Sequence, residues 1–128
     1  MKLILQEQEA KLRANFDQGC SLPHTWKWDP VPVLKLFTPW ANATWLLTEL
    51  TPDRIGFGLC DLGLGEPELG YVSLAELESI RGPGGLRVER DRHWTGRDLA
   101  LSVWAEHASK LRYIPNRIDT DIVHGQTG

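Results

Sequence analysis

Asp61, Glu66 and Glu68 flank the short glycine-bearing stretch Gly63-Leu64-Gly65. Paired carboxylates in a cleft can act as general acid and general base, so a small hydrolase using Asp61 and Glu68 with a histidine is one candidate reading. A solvated acidic loop is the ordinary alternative. The glycines do not make a phosphate loop, because they lack the lysine and hydroxyl of that motif and the neighbouring acids would repel phosphate. The four histidines, at positions 24, 93, 107 and 124, form no HxH, HExxH or Cys-His pairing. A metal needs three or four ligands converging on one point, so neither a metal site nor a cofactor is expected. Cys20 and Cys60 are not spaced as a CxxC pair. They are expected to be reduced thiols of a cytoplasmic protein, with Cys60 buried and inert in an apolar strand.

Two surface features point instead to recognition. Residues 87–97 carry Arg87, Arg90, Arg92 and Arg97 with Trp94 among them, and arginines interleaved with an aromatic can contact phosphates and stack on an exposed base. Glu89 and Asp91 dilute that run. The second feature is the tryptophan content of six in 128 residues. Trp26, Trp28 and Trp40 fall in proline-rich connections, where an indole either folds back onto the sheet or stands free as an interface anchor. The candidate partner-binding residues are therefore Trp26, Trp28, Trp40, Arg90, Arg92 and Trp94, and no catalytic residue is assigned.

Charge is distributed unevenly. Residues 44–80 carry seven acids against Arg54 alone, whereas residues 81–117 carry eight bases against four acids. Such polarity either steers a charged partner or lets the two segments pair within the molecule.

These side chains must be positioned by a small number of elements. Leu5, Leu12 and Phe16 predict a helix near residues 5–17, ended by Gly19. The prolines at 23, 30 and 32 predict an extended connection. Val33 to Phe37 and Thr44 to Leu50 read as a hairpin, followed by a strand from Ile55 to Asp61, whose glycines leave room for a helix or a ligand backbone. A fourth strand, Leu69 to Val72, runs into a helix capped by Ser73 and Glu76. Leu86 to Arg90 is a fifth strand or an edge. A last helix is predicted over 96–111, capped by Thr95 with Asp98 in its first turn, and with Ala100, Trp104, His107 and Leu111 on one face.

The expectation is an α+β domain over residues 1–114, followed by a flexible tail over 115–128. Its antiparallel sheet of four to five strands carries an N-terminal helix, a short middle helix and a C-terminal helix packed against one face. With 41% hydrophobic and 24% charged residues, the chain has the balance of a protein that folds around one core. The apolar runs are too short for a membrane span, and the first residues turn polar too early for a signal peptide.

From Val33-Leu34-Lys35-Leu36-Phe37-Thr38-Pro39 onward, the chain resembles an uncharacterised family of small bacterial proteins commonly encoded on plasmids and integrative mobile elements. Residues 43–50, 57–63 and 67–74 carry further matching phrases, and the resemblance covers roughly residues 31–110. It implies a genetic setting and no reaction. The functional expectation is a non-enzymatic, protein-binding accessory protein that modulates a host defence system, in an anti-restriction or anti-CRISPR-like way, or a replication or transfer complex. A single-stranded nucleic-acid-binding accessory protein is the first alternative and the small hydrolase the second.

Overall fold

Strand alternation decides this architecture. In β2, Thr44–Leu50, the side chains of Trp45 and Leu47 point to one side of the sheet and Leu46 to the other, and all three are buried. A strand buried on both faces needs cover on both. The computed structural model, which describes residues 3–23 and 27–118, provides that cover with helices on opposite sides of one sheet. The expected stacking of all helices against a single face is thus corrected, because β2 is apolar at consecutive positions.

The sheet has five antiparallel strands in the order β4-β3-β2-β1-β5. β1 (Leu34–Phe37), β2 and β3 (Ile55–Asp61) form a meander that continues into β4 (Glu68–Ser73) at one edge. From there the chain passes through α2 (Leu74–Ser79) and a single 3-10 turn at Pro83–Gly85 to β5 (Glu89–Arg90), which pairs with β1 at the other edge. The fifth strand is shorter than expected. Gly84 and Gly85 both take positive φ, and the turn they make engages Leu86, whose amide donates to the Pro83 carbonyl at 3.3 Å and whose carbonyl accepts the Gly82 amide at 2.7 Å, so Leu86 does not join the ladder.

On one face, α1 (Gln6–Ser21) and α2 cover a core of Leu12, Leu34, Leu36, Trp45, Leu47, Leu50, Leu74 and Leu77. On the other, α3 (Leu101–Leu111) and the segment after it cover Leu46 and Leu59 with Leu101, Trp104, Ala108, Ile114 and Ile118. Burial of each such leucine contributes about 1.5–3 kcal/mol, so both layers are substantial. Lys35, on the α3 face of β1, bonds to the Asn116 side chain and lies 3.7 Å from Asp91, which ties residues 112–118 across the sheet. The core on this face thus reaches Ile118; residues 119–128 of the expected tail lie outside the described residues.

Two helix boundaries differ from expectation for tertiary reasons. α1 runs through Gly19, where a Cβ would come within 2.7 Å of the Trp28 ring, so that glycine gives room to an indole and does not stop the helix. α3 begins at Leu101 and not at Gly96. Arg97 and Asp98 take left-handed φ of 56° and 58°, which no helix accommodates. The first helical amides are met from far away in the chain: Asp29 accepts the Ser102 amide at 3.0 Å and Pro30 the Leu101 amide at 2.9 Å. Thr95 therefore caps nothing, and the buried stripe is Leu101, Trp104 and Ala108, leaving His107 half-buried and Leu111 exposed. The Ser73 cap does form, its hydroxyl accepting the Glu76 amide at 3.2 Å.

The glycine strand β3 also departs from expectation. A Cβ on Gly58 would lie 1.8 Å from the Leu46 carbonyl oxygen, so what approaches is the backbone of β2, at a bulge between Leu47 and Glu49. Gly70 in β4 has nothing within 4 Å of that position. Gly58→Ala is therefore expected to cost about 3 kcal/mol or more through forced strand separation, whereas Gly70→Ala should leave the midpoint of urea unfolding within error; equal effects would refute the close approach.

Candidate functional site

Asp61 ends β3 on the α3 face and is buried. Its Oδ1 accepts the Gly63 amide at 2.8 Å and its Oδ2 accepts the Ile114 amide at 3.4 Å, so each oxygen already serves the backbone. Glu68 is registered with Cys60, on the opposite face of the sheet from Asp61, and its side chain is exposed. Glu66 is exposed in the loop before it. Asp61 and Glu68, which the sequence sets close together, thus lie on opposite faces of the sheet, while Glu66 and Glu68 share a groove with Arg112. Burial pushes the Cys60 thiol up, away from thiolate reactivity, while Cys20 is exposed. Among the described residues no group of three metal-ligating side chains converges.

The tryptophans are spent largely on packing. Trp26 lies outside the described residues, as do His24 and His124. Trp28 is half-buried against Gly19, and Trp40 lies over Gly82, where a Cβ would come within 2.4 Å of its ring. Trp94 packs on Trp104 with ring centroids 5.2 Å apart, and the Trp104 indole donates to the Gly96 carbonyl at 3.2 Å.

Arg87, Arg90 and Arg92 do come together, lining a cleft of about 290 Å³ with Leu3, Glu78 and Glu89. Arg90 donates to the Leu3 carbonyl at 2.7 Å and so anchors the N-terminal segment to β5. Trp94 does not line this cleft; its ring is turned onto Trp104. Among the described residues ion pairs run inside the acidic segment, from Arg54 to Glu78 at 2.9 Å, inside the basic segment, from Lys110 to Glu106 at 3.4 Å, within α1, from Arg13 to Glu9 at 3.3 Å, and from each segment to chain before it, Arg54 to Glu9 and Asp91 to Lys35, both at 3.7 Å.

The feature that sequence reading missed is the exposed apolar surface around β4. β4 is an edge strand, and Leu69 and Tyr71 on its α3 face are 51% and 72% exposed. Leu62 and Leu64 in the preceding loop are 63% and 79% exposed. Tyr71 leans on Phe57 with centroids 4.9 Å apart, leaving much of its ring open. Arg112 and Tyr113, just past α3, share a groove with Gly63 and Gly65, which extends the surface around the loop. The signal lay in Leu69 and Tyr71 alternating with Gly70, but which strand ends at an edge is a property of the sheet order.

Glu49 gives the Trp28 contact a measurable consequence. Burial raises its carboxyl, and the facing Trp28 indole and Thr48 hydroxyl offset part of that rise. A folded-state value above the unfolded one means stability present at low pH and lost as pH rises through it. Glu49→Gln should therefore raise the calorimetric melting temperature at pH 7 and change it little at pH 4; no gain at pH 7 would refute a burial cost there.

No curated protein and no solved structure matches the chain at a significant level. A family model does, over residues 3–114, with the description protein of unknown function, DUF2958. The match spans α1, the whole sheet and α3, so the chain belongs to the DUF2958 family of proteins of unknown function.

Proposed function

We propose that this protein acts by binding another protein along the edge of its sheet and performs no chemistry of its own. The observation that carries the reading is the β4 edge, where Leu69 and Tyr71 stand exposed, with Leu62 and Leu64 exposed in the loop that leads into the strand. Edge strands offer unpaired amides and carbonyls, and proteins commonly blunt them with lysine, proline or a bulge. β4, Glu68-Leu69-Gly70-Tyr71-Val72-Ser73, has no lysine or proline, and it pairs with β3 in unbroken register. Leu69 and Tyr71 on one face of such an edge give an added strand apolar side chains to pair with.

The resemblance to proteins of plasmids and integrative elements supports an accessory role in the bacterial cytoplasm. There the protein would occupy a surface of a host defence system, in an anti-restriction or anti-CRISPR-like way, or of a replication or transfer complex. The test is capture from a bacterial host lysate by the full chain and by a Leu64→Asp, Leu69→Asp double variant of unchanged melting temperature. A partner held by the first and bound at least about tenfold more weakly by the second, roughly 1.4 kcal/mol, is the expected result. Recovery of nothing above background, or of the same proteins by both, overturns it.

The arginine cleft favours a second reading, a single-stranded nucleic-acid-binding accessory protein. It expects binding of single-stranded DNA or RNA that falls with salt and with Arg87→Ala and Arg92→Ala; binding indifferent to both removes it.

A further inference from the structure

Resting on the protein-binding reading, we infer that the occupant of the β4 edge is an extended segment of the partner, apolar at alternate positions and flanked by lysine or arginine, that joins the sheet as one more strand. β4 is six residues long, about 20 Å of ladder, and its far side is fully engaged with β3. Side chains alternate along it, so Leu69 and Tyr71 present one apolar face. The other face is open at Gly70, where nothing lies within 4 Å of a Cβ position. An added strand would lay its own apolar side chains beside Leu69 and Tyr71, as cross-strand pairs do, while its backbone satisfied the edge.

Charge selects among occupants. Exposed Glu66 and Glu68 stand at one end of β4, two acids against the single Arg112 that lines their groove, and exposed Glu76 follows its other end in the first turn of α2. A second copy, added antiparallel about Gly70, would bring the Glu66–Glu68 end of each chain toward the Ser73–Glu76 end of the other. Like charges would then meet at both ends. A segment with basic flanks meets acids at both ends instead, so charge complementarity favours it over self-association.

The probe is a fluorescent nonapeptide, Lys-Lys-Val-Thr-Val-Thr-Val-Lys-Lys, compared with its counterpart carrying glutamate in place of lysine, each added to the full-length protein. The lysine peptide is expected to bind at least about tenfold more tightly than the glutamate peptide and to weaken with salt. It should slow amide exchange across residues 68–73. Glu66→Gln with Glu68→Gln should reduce its affinity, and Tyr71→Asp should abolish it. Equal affinities, or protection elsewhere than β4, overturn strand addition. If edge-dependent capture from lysate persists while the peptides fail, only this inference falls and the protein-binding reading stands. Sedimentation equilibrium showing a dimer with β4 amides already protected would assign the edge to a second copy and overturn it as well.

Discussion

The contact on which the rest of the structure depends is the close approach of Gly58 to the backbone of Leu46 and Leu47 at the bulge in β2. An extra residue in one strand leaves backbone groups without their ladder partners. Here Asn15 of α1 donates its side-chain amide to the Thr48 carbonyl at 2.9 Å, and the Thr48 hydroxyl donates to Phe57 at 3.2 Å. Asn15 is buried, and an amide so placed is costly unless bonded, so the bulge fixes where α1 lies on the sheet. Gly58 makes the arrangement possible because any side chain would collide with β2.

The remaining long-range contacts follow from chain crossing both faces. α2 leaves β4, at one edge, and the chain reaches β5 at the other; α3 then returns over the opposite face toward β3 and β4. Each crossing is secured by groups remote in sequence. Arg54, in a left-handed conformation at the β2–β3 turn, reaches Glu78 of α2 and Glu9 of α1. Asp29 and Pro30 bond the start of α3, and Lys35 and Asp61 bond the chain that follows it. Asp61, one of the acids that invite a catalytic reading, accordingly holds the backbone with both its oxygens.

With both faces carrying helices and five tryptophans packed among them, the exposed β4 and the short β5 are the two edges of the sheet. One edge, at β5, is short and rimmed by arginines; the other, at β4, is longer, apolar and bracketed by acids. The uneven charge of the sequence thus becomes a difference between the two ends of one sheet. Fields act over about 10 Å, so where these groups sit matters more than the net charge.

Alternation and turn chemistry are local properties, and for that reason the sequence by itself determined β2, β3, the hairpin loop at 38–43, the Ser73 cap and the α+β class. The same locality explains the misplaced ends of α1 and α3. A glycine that admits Trp28, or an Asp29 that caps a helix 73 residues later, carries no mark in its own neighbourhood. Asp61 and Glu68 are adjacent in the reading of a loop yet lie on opposite sides of a sheet, because successive side chains of a strand alternate. Only the tertiary structure decided which strands became edges, since strand order is set by how the helices cross the sheet. It therefore also decided that Leu69 and Tyr71, apolar residues of a kind usually buried, face solvent.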